Sequence, residues 1–140
     1  MKTTLSILIL CCVLSLNLTN AWSQENDARI KPVGDIETVQ DGFSFTEGPA
    51  WDPSSKSLFF TDITNNTIHR LDAQGKMTAF TTESNHANGL MVVADGRMLA
   101  CQMDGQLVAY DLKAAKFEVL ADQFDGKRFN APNDLVIDTA

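Results

Sequence analysis

Glu47 stands directly before Gly48-Pro49, and Asn133 sits within Ala131-Pro132-Asn133-Asp134. A carboxylate and a carboxamide are both hard oxygen donors. Brought to one channel, they suit Ca²⁺, Mg²⁺ or Mn²⁺ and are acceptable to Zn²⁺. Each also has an ordinary reading, Glu47 as a solvated loop acid and Asn133 as a turn residue of Pro-Asn-Asp. Two ligands do not make a metal site, so further donors have to come from elsewhere. The remaining reactive residues read as bland. Cys101 ends the apolar run Met98-Leu99-Ala100-Cys101. With no histidine near it in sequence, it reads as a small buried hydrophobe, not a reactive thiol. His69, in the alternating segment Ile68–Leu71, reads as a surface or sheet-edge histidine. His86, in Ser84-Asn85-His86, belongs to a loop near the expected channel, within reach of a substrate or simply solvated. There is no Gly-x-Ser-x-Gly element for a nucleophile elbow. Trp51 and Phe59-Phe60 read as core aromatics that pack sheet on sheet. Asn65-Asn66-Thr67 fits the glycosylation acceptor pattern.

The elements that must position these residues are short strands. Helix signals are weak throughout. Ser57–Thr61, Thr67–Leu71, Met77–Thr81, Leu90–Val93, Arg97–Cys101, Leu107–Asp111, Phe117–Leu120 and Leu135–Asp138 are all rich in branched, aromatic or other apolar residues. Turn formers separate them, among them Asp52-Pro53-Ser54-Ser55, Asn65-Asn66, Asp95-Gly96, Asp104-Gly105 and Asp125-Gly126. Gly, Asn and Asp accept the left-handed backbone that tight hairpins demand, so the chain reads as all-β. The strands also repeat. Trp51 and Met91 are 40 positions apart, Asn88 and Asn133 are 45 apart, and Ile68–Asp72 matches Leu107–Asp111 at an offset of 39. A period of roughly 40–50 residues built from four strands is the spacing of propeller blades. A β-sandwich is the alternative, but it would not require this self-similarity. The expectation is two four-stranded blades and the opening of a third. Such sheets have two apolar faces and need a neighbour on each.

Composition narrows the class of partner. The 140 residues carry a net charge of −7, with a pI near 4.6. That argues against nucleic-acid binding, whose proteins usually carry basic patches. Hydrophobic residues make up 44% and charged residues 21%, which is globular composition. Residues 1–23 have the layout of a secretory signal: Lys2, an apolar run from Leu5 to Leu18, then Ala21-Trp22-Ser23. The apolar run is short and interrupted for a permanent span. Export to the periplasm or outside the cell is expected, with no stable membrane insertion after cleavage. Residues 24–40 then form a polar lead-in and residues 41–140 the propeller part. Cleavage removes Cys11 and Cys12 and leaves Cys101 alone, so no internal disulfide is expected.

Thr46-Glu47-Gly48-Pro49-Ala50-Trp51, Asn88-Gly89-Leu90 and Arg128–Asp138 together resemble the SMP-30/gluconolactonase/LRE family. The resemblance covers about residues 40–140. It implies a six-bladed β-propeller with one divalent cation in its central channel, Ca²⁺ by first preference and Zn²⁺, Mg²⁺ or Mn²⁺ otherwise. It implies hydrolysis of sugar lactones. It also implies that Glu47 and Asn133 are the first two metal ligands. The other two are an Asn of a later Pro-Asn-Gly element and a further Asp that also serves as acid/base. Neither has a counterpart here: Asn88-Gly89 lacks the preceding Pro and reads as a turn or channel-lining element. Where family enzymes often carry an Arg for substrate, just before Pro-Asn-Asp, this chain has Ala131. Arg128 is nearby in sequence, with no basis for that role.

The expected function is therefore metal-assisted lactone hydrolysis, in which the cation polarises the carbonyl and a carboxylate takes a proton from water. The expected base lies beyond Ala140, so the 140-residue chain is expected to be incomplete and inactive by itself. A non-catalytic propeller that binds a ligand or protein, and a strictosidine-synthase-like or paraoxonase-like propeller enzyme, remain open alternatives.

Overall fold

The computed structural model describes residues 34–138. The expected signal segment, and most of the polar lead-in, lie outside the described residues. Of these, residues 38–138 belong to one compact unit. Its first sheet is an antiparallel meander of β1 (Thr46–Asp52), β2 (Ser57–Asp62), β3 (Thr67–Leu71) and β4 (Met77–Thr81). The second repeats that order with β5 (Ala87–Val92), β6 (Arg97–Gln102), β7 (Gln106–Asp111) and β8 (Lys116–Ala121). A small hairpin, β9 (Gln123–Phe124) and β10 (Lys127–Arg128), turns at Asp125-Gly126. These are propeller blades, and the self-similarity of the sequence is the self-similarity of the two sheets. No helix among the described residues is long and apolar enough to cross a membrane.

Alternation along the strands decides which side chains are buried between the blades. In β2, Ser57, Phe59 and Thr61 are buried. Phe59 and Ile68 from the first blade meet Leu90, Met98, Ala100, Val108 and Tyr110 from the second. An edge-to-face series ties the blades together, Phe59 to Phe80 at 5.3 Å, Phe80 to Tyr110 at 5.7 Å and Tyr110 to Phe117 at 5.2 Å. Aromatic quadrupoles favour that geometry over flat stacking. The opposite face of the first blade is open. There Val39, Phe43, Pro49, Leu58, Phe60 and Met77 line a groove of about 400 Å³. On β8, Phe117 and Val119 pair with the core residues Tyr110 and Val108 and so share the face turned to the first blade, near its exposed outer rim. The open apolar groove on the first blade is what a blade that stacks on a further neighbour presents.

Three expectations are corrected. Trp51 is 56% exposed. On β1 it alternates with buried Ala50 and Asp52 and so points away from the second blade, while Phe59 does fill the core. His69 lies on β3, flanked by β2 and β4, not at a sheet edge. It is half-buried against the rings of Phe43 and Phe60, which also touch each other. Burial, only partly opposed by the Asp62 charge, holds its imidazolium form below the usual range. Leu135–Asp138 has strand composition but forms no ladder. A strand needs a partner's backbone along its length, and this segment's backbone tie to the second blade is made earlier, at Asn133.

Candidate metal and active site

The inner strands of the two blades deviate from regular pairing at the same place. The register of β1 on β2 slips between Glu47 and Ala50, and that of β5 on β6 slips between Ala87 and Leu90. Each irregularity spans a glycine, Gly48 or Gly89. Bulges re-aim side chains and are common beside active sites. Gly48 takes φ +51°, and a Cβ there would lie 2.1 Å from the carbonyl oxygen of Asn88. A Cβ on Gly89 would meet the Asn133 oxygen at 2.8 Å and Asp134 Oδ1 at 2.6 Å. The backbones of three successive units thus nest at two glycines. The Gly89 N–H donates to the Asn133 carbonyl at 2.8 Å, and Thr61 Oγ1 donates to the Asn88 carbonyl at 3.2 Å.

That nesting brings Glu47, Asn88, Asn133 and Asp134 around one cavity of about 170 Å³. The two predicted ligands, 86 residues apart in sequence, are together. Asn88 is channel-lining as expected and only 5% exposed. Among the described residues, none donates a hydrogen bond to the Glu47 carboxylate or the Asn133 carboxamide. The lining is therefore oxygen-rich with two carboxylates and two carboxamides, a donor set suited to a hard divalent cation. Among the described residues no group of three or more His, Cys, Asp or Glu side chains is placed to hold a metal.

Sequence reading missed the residues that set the site's frame. Asp62 is 1% exposed and accepts from the backbone N–H groups of Ser44 and Phe45, both at 3.0 Å, and from Asn65 Nδ2 at 2.8 Å. It anchors the chain entering β1, two residues before Glu47. Burial alone would raise its pKa, but these donors outweigh it and hold the carboxyl below the usual range. Asn66, at φ +53°, accepts from Ser84 Oγ at 3.1 Å and from the His86 N–H at 2.9 Å. One side-chain oxygen thereby fixes the loop that leads into β5. Asp134 follows Asn133 in the Pro-Asn-Asp element and carries no role expected from sequence. Asn66 has only its place in a turn as a sequence signal, and Asp62, at the end of β2, has none.

The other candidates fall outside the cavity lining. His86 takes φ +53° and sets Nδ1 3.3 Å from Asp104 Oδ1. Arg128 Nη2 donates to the Asp104 carbonyl at 3.0 Å. Cys101 is a buried free thiol, and burial, with a further contribution from the Asp134 charge, pushes its pKa up. That is an inert cysteine.

Residues 45–140 match the family described as the SMP-30/Gluconolactonase/LRE-like region. The chain belongs to this family. Among relatives of the SMP-30/gluconolactonase family, the gluconolactonase of Zymomonas mobilis subsp. mobilis is 27% identical, over 81% of this chain and 36% of its own. The gluconolactonase of Xanthomonas campestris superposes with a TM-score of 0.69 at 25% identity, over 73% of this chain and 34% of that one. A structural-genomics target assigned to the gluconolactonases gives 0.70 at 29% identity, over 74% and 36%. The chain spans about a third of the length of these relatives.

Proposed function

We propose that this chain supplies part of the cation-binding and lactone-hydrolysing centre of a gluconolactonase-like propeller. The observation that carries the reading is the convergence of Glu47, Asn88, Asn133 and Asp134 on one small cavity at the bulged starts of the inner strands. Glu47 and Asn133 would hold a divalent cation, Ca²⁺ by preference given the all-oxygen donors. A cation held there supplies Lewis-acid polarisation of a lactone carbonyl. Glu47 serves as ligand, not as base. Bulge geometry aims it, and Asp62 fixes the backbone that carries it. Asp134 adds negative charge to the cavity, and Asn88 presents a buried amide to whatever enters. The substrate class, a sugar lactone, is carried over from the gluconolactonases to which the chain is similar. Export through the N-terminal segment is part of the same proposal.

Calorimetric titration of the full chain with Ca²⁺ tests the cation site. Saturable binding is expected, with Glu47→Gln and Asn133→Ala each weakening it about tenfold or more, since losing a ligand exceeds the effect of losing an outer partner. Equal Ca²⁺ affinity in wild type and both variants, or no saturable binding of Ca²⁺, Mg²⁺, Mn²⁺ or Zn²⁺, would sink it. The chain alone is expected not to accelerate hydrolysis of glucono-1,5-lactone, because the described residues offer no third acidic or imidazole ligand beside the cavity. Metal-dependent turnover by the purified chain would overturn that part.

A further inference from the structure

A second cleft lies at the other end of the blades, about 17 Å of strand away from Glu47. It has a volume of about 550 Å³ and is shared by the turn that follows β1, the end of β3, and the turns after β5 and β7. Its charges are unequal in one respect. The carboxylates are already loaded with donors. Asp52 accepts from the hydroxyl and backbone N–H of both Ser54 and Ser55. Burial would raise its pKa, but those bonds hold it below the usual range. Asp95 is taken by Arg97, which also reaches Glu118. Asp111 accepts from the N–H groups of Lys113 and Ala114.

Arg70 is different. Its Nε donates to Ser57 Oγ at 3.0 Å, and its Cζ sits 5.9 Å from the centre of the Phe59 ring. Ser57 is fully buried and donates its own proton to the Ser55 carbonyl. The guanidinium is thus held by its edge and over an aromatic face, while its two Nη groups donate to no described residue. Lys113 lines the same cleft from the second blade, and its Nζ donates no hydrogen bond among the described residues. A fixed planar fork with free Nη donors matches a carboxylate or phosphate in bidentate fashion, and an ammonium lining the same cleft, beside Asp111, adds a second positive charge. We propose that this inter-blade cleft binds a small oxyanion, a carboxylate or a phosphate, between Arg70 and Lys113. The ligand would bridge the two blades. This site is independent of the lactone reading, since it shares no residue with the cavity at Glu47.

Calorimetric titration of the full chain at pH 7 with phosphate, and separately with succinate, at ionic strength matched by NaCl, decides it. Saturable binding of at least one anion is expected, and which one binds identifies the source of the oxygens. Arg70→Met should weaken it at least tenfold and Lys113→Met by several-fold, while Glu47→Gln leaves it unchanged. Lys113 is exposed, so that variant keeps the test decisive if Arg70→Met fails to fold. No binding, heat that NaCl alone reproduces, or unchanged affinity in the folded variants would overturn the proposal.

Discussion

Gly48→Ala should lower stability by about 3 kcal/mol or more, a fall in melting temperature on the order of 10–20 °C. Two effects combine. Gly48 has φ +51°, where an L side chain costs about 1 kcal/mol. Its added Cβ would also sit 2.1 Å from the Asn88 carbonyl oxygen, a backbone atom that cannot swing aside. Gly75→Ala provides the control. It too has positive φ, +77°, but nothing lies within 4 Å of its Cβ position. It should cost only about 1 kcal/mol. Thermal unfolding followed by circular dichroism separates the two. Equal losses at Gly48 and Gly75 would mean that the inner strands can spread apart, and that the nested glycines do not define the cavity.

Asp62→Ala should destabilise the chain by about 2–3 kcal/mol at neutral pH, because it leaves two backbone N–H groups and the Asn65 amide without their acceptor. The effect also has a pH signature. Asp62 titrates lower in the folded chain than in the unfolded one, so it binds fewer protons when folded. Its contribution is complete above the unfolded value near pH 4 and is lost as pH falls through the lower folded value. Denaturant unfolding from pH 7 to pH 2 should show the variant losing less stability on acidification than wild type. Asp52 behaves in the same sense and will leave some acid dependence in the variant. Parallel curves for wild type and variant would remove Asp62 from its bracing role. Because Asp62 holds Ser44 and Phe45, the same variant should weaken cation binding through Glu47 without touching a ligand.

Much of this architecture was legible because a propeller writes its period into the chain. Thr67–Leu71 and Met77–Thr81 are strands with the bounds read from sequence. β2 and β5 to β8 differ by one to three residues at their ends, as Ala87–Val92 does, because the bulge at Gly89 carries pairing back beyond the apolar run. β1 and the β9–β10 hairpin are not among the segments read as strands. Glu47 and Asn133 stand out locally, as a carboxylate before Gly-Pro and an amide after Pro, but their pairing as ligands is what the family resemblance implies. Asp62 and Asn66 do not stand out. Their role is to accept hydrogen bonds from residues 17 to 20 positions away, and nothing at their own positions records that. Trp51 was misplaced for a related reason. Alternation says that it and Ala50 face opposite ways, but only the packed pair of blades says which side is inside.

The lock between Gly89 and Asn133 also bears on chemical ageing. Asn-Gly is the dipeptide most prone to deamidation, because the glycine nitrogen can swing onto the preceding carboxamide and close a succinimide. Here that nitrogen is committed to the Asn133 carbonyl at 2.8 Å, and the strand around it is buried. The folded chain therefore holds Asn88 back from the reaction, and the unfolded chain releases it. Isoaspartate at position 88, read by peptide mapping after storage, should accumulate with time spent unfolded and not with time elapsed. The bond that closes the cavity is in this sense a preservative for the amide that lines it.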